Sequence, residues 1–518
     1  MRKIFKAFIA AQFIIGSMAF VYTAASAEET FSSSTIRFGH PRVRTLEDME
    51  AADAAMRAAG TVSEMAEIPF RPTMNMDDYK AAKAAANAEA AKAEVNRPEA
   101  ESQNGPLAPP TLQGPDIEGV NQTEGGGWYP PDTHGAVGPD HFVEITNSHL
   151  DIYGKNDGVR VKSVTLASFF GYTAKPLFDP RCVYDKLAGR WLITAEAFEE
   201  SATVQYQFIA ASKTSDPTGA FNIYKTDVNT KNNDDFWDFP QLGVDDCSVI
   251  ITANIFGPQF YRETRMIVLN KSKLYNGAGL KSKLYSGLDG TLASTIVMDN
   301  NKQTFLVAAK ESGKITMYRI KYNRKCVPKR VTKSTVTVPA YSVPPDATQP
   351  GTTATLDTLD GRFVNAGTQI GNSLWQVHTI NNGGRPSPRW YEINTSTKSV
   401  VQGGFFNASA TSKDWNASIT ANADKDVYVT WSSTDPIAST NAQVRFSGRR
   451  STDTANVIEG GSALFTSPTF YTGGGTRGRW GDYSAVTVDP TNPLRAWIVN
   501  EKINSNTLWG SRIGCIGY

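Results

Sequence analysis

The sequence predicts an all-β fold, a seven-bladed β-propeller preceded by a helical or low-complexity N-terminal arm, and three observations carry that prediction. From Pro109 onward, short β-branched and aromatic runs alternate with Gly, Pro, Asn and Asp clusters, which is strand-and-turn chemistry, and convincing amphipathic helices are absent. One unit recurs seven times in this part: a short apolar run, a tight turn, then a second and stronger apolar run. All ten tryptophans fall at or after Trp128, whereas residues 28–108 hold 18 alanines and no tryptophan.

In chain order, residues 1–27 read as a secretory signal peptide. Arg2, Lys3 and Lys6 precede a largely apolar run from Ala7 to Val21 and a small-residue site at Ala25-Ser26-Ala27. The run is short for a membrane span, and no later stretch approaches the roughly 20 apolar residues a spanning helix needs. The expected location is secreted or periplasmic, with no membrane insertion after cleavage. Residues 28–108 form the arm. Within it, Asp77-Asp78-Tyr79-Lys80 and the Ala-rich sequence to Val95 predict a helix, with its acids in the first turn where the dipole favours them. The arm has too few large apolar groups for a core of its own, so it reads as a pro-segment, spacer or loosely docked arm.

Residues 109–518 form the propeller. The repeat turns fall at Asp140, Asp185, Asp245, Asp299, Asn372, Asn422 and Asp489, spaced 45 to 73 residues apart, which leaves room for two more strands per copy. Four-stranded blades that bury both faces against their neighbours meet this spacing; a pair of β-sandwiches would not repeat one unit seven times. The last copy leaves about three strands before Tyr518, so the stretch before Trp128 is expected to supply the fourth.

Charge and cysteine content narrow the class. After residue 27 the chain carries 49 basic and 51 acidic side chains, which excludes the basic excess of a nucleic-acid binder. Cys182, Cys247, Cys326 and Cys515 lie far apart without metal-ligand spacing. In an oxidising compartment this favours up to two disulfides, in any of three pairings, with buried free thiols as the alternative. No zinc, nucleotide or dinucleotide motif is present, and no cofactor is expected. Asn232-Asn233-Asp234-Asp235 could help hold Ca2+, although it lacks the ligand alternation of an EF-hand and fits a solvated turn.

The run Trp128-Tyr129-Pro130-Pro131-Asp132-Thr133-His134-Gly135-Ala136-Val137-Gly138-Pro139-Asp140-His141 resembles the opening of a family of exported bacterial β-propeller proteins of sialidase-like (BNR-type) architecture. Phe178-Asp179-Pro180-Arg181, Ser215-Asp216-Pro217-Thr218-Gly219 and Arg479-Trp480-Gly481-Asp482-Tyr483-Ser484 carry the same resemblance, which spans most of residues 125–515. It implies fold and export more than chemistry, and the Ser-x-Asp-x-Gly-x-x-Trp box of sialidases proper is missing, which argues against glycosidase activity.

Six to eight residues before most turns stands an acid or amide: Asp132, Asp179, Asp238, Asn365, Asp414 and Asp482. If the first run of each unit is the innermost strand, these groups meet at one mouth of the channel. The bland reading is that they cap turns. Arg181, Arg362 and Arg479 lie within three positions of Asp179, Asn365 and Asp482 and could fork onto a carboxylate or sulfate, or simply pair with the aspartates. Trp128, Trp237, Trp415 and Trp480 could stack on sugar faces or pack between blades. Among the histidines, His134 alone is placed near the mouth, as a general acid or base or as a turn stabiliser.

The leading expectation is a monomeric propeller that binds an extracellular glycan or other surface polymer at the mouth. A hydrolase or lyase using Asp132, His134, Asp179 or Asp482 with Tyr483 is the first alternative. A scaffold that contacts surface proteins through long loops such as 339–357 is the second.

Overall fold

The computed structural model describes residues 29–60, 67–95, 108–198 and 200–518, so the leader expected at 1–27 lies outside the described residues. The chain is predominantly β, and after residue 130 its strands follow one another in successive, mostly antiparallel units. The first is the antiparallel meander His134–Val137, His141–Thr146, His149–Gly154 and Arg160–Thr165. The second is Leu177–Asp185, Arg190–Ala197, Tyr206–Ser212 and Ala220–Asp227. The third is Phe236–Val244, Ser248–Phe256, Tyr261–Asn270 and Leu280–Leu288.

The fourth unit departs from this pattern. Its first strand, Thr295–Val297, pairs in parallel with Val244 of the third unit and with Gly367–Gln369 of the fifth. Gln303–Glu311, Lys314–Tyr322 and Pro328–Thr337 form a separate meander, linked to the inner strand through the Ala293–Val307 bridge. The fifth and sixth units again have four strands, Gly367–Ile370 to Ser399–Phe405 and Lys413–Ala421 to Ser462–Thr466. The seventh supplies Ala485–Val488, Arg495–Ser505 and Leu508–Gly517, and its fourth strand is Thr111–Asn121, which pairs antiparallel with Leu508–Gly517. The stretch before Trp128 thus fills the place that the short last copy leaves open.

The repeat turns have a local cause. The side-chain oxygens of Asp185, Asp245, Asp299, Asn422 and Asp489 each accept a backbone N–H two residues further on, an Asx-turn that reverses the chain. The first strands then neighbour one another in the order of the units, and the seventh returns to His134–Val137. Apolar layers fill the spaces between units. Ile145, Trp191, Ile193 and Phe208 share one such layer, and Trp375, Trp390, Ile419 and Trp431 share another.

The arm is built into this framework. Ser33–Phe38 extends the third sheet beside Leu280–Leu288, and Arg42–Thr45 extends the second beside Ala220–Asp227, so two outer edges are covered. Helix α1 (Leu46–Ala58) starts at a capping box in which Thr45 and Asp48 satisfy each other's backbone N–H, and it packs against α3 (Leu166–Phe170). Helix α2 (Met76–Val95) occupies the stretch expected to be helical. Its Lys83 is buried and donates to Pro344 O, Thr358 Oγ1 and Leu359 O, each at 2.8 Å. Among the described residues no helix is long and apolar enough to cross a membrane. One disulfide forms, Cys247–Cys326, between the third and fourth units, while Cys182 and Cys515 are buried free thiols.

Edge pairing separates two truncations. Removing residues 28–105 uncovers two outer edges but keeps Thr111–Asn121, so far-UV circular dichroism should retain the β signal with a lower Tm and more aggregation. Extending the deletion through Asn121 strips the seventh sheet of a strand and should abolish the cooperative transition; a cooperative melt in the longer deletion would contradict this role for Thr111–Asn121.

Candidate functional site

The first strands carry a recurrent bend close to their beginnings. Asp179, Phe239 and Asn416 have φ of 49°, 57° and 52°, and each sits in a register shift against the second strand of its own unit. Asp132, with φ 50°, takes the same conformation just before His134–Val137. An extra residue in one strand of a pair bends it and re-aims the side chains there, which is how a strand buried on both faces can direct polar groups toward the centre.

Around these bends four of the expected acids form a buried cluster. Asn147 joins two of them: its Nδ2 donates to Asp132 Oδ2 at 2.8 Å, and its Oδ1 accepts the Asp179 N–H at 2.9 Å. The Asp482 N–H donates to Asp132 Oδ1 at 2.8 Å, and Tyr483 Oη donates to Asp179 Oδ2 at 2.7 Å. Asp238 accepts the Phe239 N–H at 2.9 Å. The guanidinium of Arg181 lies 3.3 Å from the centre of the Tyr483 ring and donates to Pro240 O, Val364 O and Asn365 Oδ1. Arg479 pairs with Asp482 at 3.2 Å and Asp357 at 3.4 Å. Arg362 pairs with Asp360 at 2.7 Å and stacks over Phe239.

Electrostatics follow from this packing. Burial, then the neighbouring Asp482 charge, pushes the Asp132 carboxyl up to about 7. Burial also raises Asp179 well above the usual range, reinforced by Asp132 and Asp238, and raises Asp482 despite the Arg479 guanidinium. At the rim the balance reverses. Burial alone would raise Asp357 and Asp360, but Arg477, Lys83 and Arg479 hold the first low and Arg362 the second.

The other expected residues lie elsewhere or play other parts. Asp414 stands two residues before the bend at Asn416 and is turned away. It accepts from Asn407 Nδ2, Ser412 Oγ and Trp431 Nε1, and Asn416 takes the inner place, donating to Gly481 O and Tyr483 O. His134 is buried, its Nδ1 accepts the Cys182 N–H at 3.3 Å, and burial holds its pKa well below the ordinary value. Trp128, Trp237, Trp415 and Trp480 are all buried from solvent, and Trp415 and Trp480 meet edge-on at 5.5 Å. In the 232–235 turn, Asp235 pairs with Arg262 and Arg265 and Asp234 with Arg262, so its carboxylates already have cationic partners.

Two groups absent from the sequence-based site belong to it. Glu196, fully buried on the second strand of the second unit, offers a carboxylate oxygen to a set with Asp179 and Asp238 whose ligand atoms all lie within 4.8 Å of one another. These three could hold a metal ion. The signal was an acid inside the apolar run Trp191-Leu192-Ile193-Thr194-Ala195-Glu196-Ala197. The second group comes from the arm. Phe70 lies beneath the Arg362 and Arg479 guanidiniums, Ile68 O accepts from Arg479 Nε at 3.2 Å, and Arg71 O accepts from Arg362 Nη2 at 2.8 Å. Arg71 Nη1 stands 3.5 Å from Asp238 Oδ2. Residues 67–73 therefore cover the cluster. The gap beside it, lined by Asp357, Arg362, Trp415 and Asn416, has a volume of about 10 Å3, room for one water at most. A larger cavity of about 510 Å3 lies under α1, lined by Arg57, Glu124, Trp128 and His149.

No family model and no curated protein matches the chain, so the sialidase-like family stays a resemblance carried by motifs. Among solved structures the chain is similar to cobalt-substituted Synechocystis ACO, at 8% identity and TM-score 0.37 over 61% of this chain and 68% of that one. It is similar to the parainfluenza virus 5 hemagglutinin-neuraminidase, at 10% identity and TM-score 0.33 over 70% and 95% of the two chains. A third is an exo-β-1,3-galactanase from Phanerochaete chrysosporium, at 11% identity and TM-score 0.29 over 75% and 92%. Likeness this distant assigns no residue a role, and the site rests on its own geometry.

Two substitutions test that geometry. A carboxyl whose folded pKa is raised favours the folded state while protonated, and this contribution disappears as pH rises through the folded value. With Asp132 moving from 3.8 to about 7, wild type should lose stability between about pH 4 and 7 relative to Asp132→Asn, by on the order of 4 kcal/mol in denaturant titrations. Parallel pH profiles would show that Asp132 stays ionised. Trp480→Ala should cost about 3–5 kcal/mol of folding stability, because it opens a void beside Trp415 and Tyr471; a change under about 1 kcal/mol would mean the indole is not core.

Proposed function

We propose that the chain is an exported seven-bladed β-propeller that binds an extracellular glycan or other polyhydroxylated surface polymer at the end of the ring where Asp132, Asp179, Asp238 and Asp482 converge. The seven units serve as the blades, and the cyclic order of their first strands supports this reading. Export rests on the N-terminal residue pattern, and the Cys247–Cys326 disulfide suits an oxidising compartment.

The observation that carries the binding reading is how the cover is held. Ile68 O and Arg71 O accept from Arg479 and Arg362, so two backbone oxygens of the arm stand where hydroxyl or carboxylate oxygens of a ligand would be received. Phe70 fills the space between the two guanidiniums as an apolar ligand face would. The arm thus occupies the mouth in the manner of a ligand, and binding requires residues 67–73 to give way. A glycan hydrolase or lyase is the second reading. It is favoured by Asp132, whose pKa near 7 suits a general acid, beside the Tyr483–Asp179 hydrogen bond.

A glycan panel assayed for both binding and cleavage tests these readings. Phe70→Ala loosens the cover while leaving the ring's own side chains unchanged, and it should raise affinity for the bound glycan about tenfold over wild type. Cleavage that Asp132→Asn abolishes while binding persists would select the enzyme. If neither wild type nor Phe70→Ala binds any glycan, the reading fails and the protein-scaffold alternative takes its place.

A further inference from the structure

The Asp179, Glu196 and Asp238 carboxylates come from two adjacent units. Asp179 and Asp238 sit at the inner bends, and Glu196 reaches the same point from the second strand of the second unit, opposite Phe178. Three buried carboxyls this close cannot all carry charge uncompensated, because burial removes the water that would screen them. Proteins meet that cost with a proton, a cationic side chain or a metal ion. Asp179 has the Tyr483 hydroxyl, and Asp238 has the Phe239 N–H and the Arg71 guanidinium. Glu196 has no hydrogen-bond partner on either Oε1 or Oε2 although it is fully buried, and only the Arg71 and Arg181 charges nearby favour its ionised form. A buried carboxyl with both oxygens unpartnered, beside two other carboxyls, has the donor capacity a metal ion would use.

The separations fit an ion. Oxygens bound to one Ca2+ at about 2.3–2.6 Å can be at most about 4.6–5.2 Å apart. The three ligand atoms here lie within 4.8 Å of one another. The donor set is all oxygen and all carboxylate, the hard set that Ca2+ takes in mono- or bidentate fashion. Mg2+ demands near-octahedral geometry and keeps several waters, which suits a closed site less well.

The geometry points to a Ca2+ site formed by Asp179, Glu196 and Asp238 at the inner end of the second and third units, with Arg71 of the arm as a competing cation at its edge. The site goes beyond the ligand reading above and stands without it, because metal binding is measured with no glycan present. Ion and cover are then opposed: Ca2+ at the triad repels the Arg71 guanidinium, 3.5 Å from Asp238 Oδ2, and weakens the hold of residues 67–73.

The test is Ca2+ titration by calorimetry of the full chain after chelation and dialysis, with metal content and Tm measured in parallel. Wild type should bind one Ca2+ per chain and melt higher with it. Glu196→Gln should weaken binding at least about a hundredfold, and Arg71→Ala should tighten it about tenfold by removing the competing charge. If Glu196→Gln fails to fold, the wild-type stoichiometry and the Arg71→Ala comparison decide. Absence of Ca2+ binding by wild type at millimolar concentration would overturn the site. So would unchanged affinity in Arg71→Ala, or wild-type affinity in a folded Glu196→Gln. Preference for Mg2+ over Ca2+ would overturn the ion assigned. Failure of glycan binding alongside Ca2+ binding would remove the ligand reading and keep this one.

Discussion

Charge removed from water must find a partner, and the centre of this protein is organised around that requirement. Asp132, Asp179, Asp238 and Asp482 are brought together with Arg181, Arg362 and Arg479 where water is nearly excluded. Asn147, Tyr483 and Asn365 satisfy lone pairs and protons the ion pairs leave over. The partners come from different units, so neutralising any one group needs its neighbours in place. The polar centre therefore helps fix how the units sit against one another, while the apolar layers between them supply most of the burial.

The same requirement explains the arm. A cluster with this many guanidiniums facing one end would leave Arg362 and Arg479 donors unpaired if that end were bare. Backbone oxygens of Ile68 and Arg71 complete them, and Phe70 takes the apolar faces. Further out, Lys83 of α2 is held by three oxygens of segment 344–359 and by Asp346 at 3.3 Å. An alanine-rich segment with no core of its own is thus ordered by contacts with a framework hundreds of residues later in the chain. Those contacts are both polar and apolar: Ile68 and Phe70 pack into apolar clusters while the backbone oxygens and Lys83 meet polar groups.

Local chemistry was enough to read the strands, the turns and the α2 helix. An Asx-turn depends on one side chain and an N–H two or three residues away, and strand alternation on neighbours within the same run, so Asp185, Asp245, Asn422 and Asp489 announce their turns in the sequence. The need for a partner strand also followed, because the last copy ends one strand short and Thr111–Asn121 fills the place. What the linear pattern did not carry is the bend. A single extra residue changes which side chain faces the centre, so Asn416 points inward where spacing favoured Asp414. The tryptophans near the acids were equally legible as a stacking surface or as core, and only the facing unit, as where Trp415 meets Trp480, decides between them.

The sequence by itself determined a β-rich chain of recurring strand-and-turn units, an alanine-rich helical segment before them, and a set of acids and arginines standing near the inner strands. Only the tertiary structure decided that Glu196 joins Asp179 and Asp238, that Asp132 and Asp482 share a hydrogen bond, and that Phe70 and Arg71 close over them. The physical reason is distance along the chain. Turn and strand chemistry is settled within a few residues, whereas the site consists of contacts such as Asp482 with Asp132, across 350 residues, and Arg479 with Ile68, across 411. Such contacts exist only once the units have packed around a common centre.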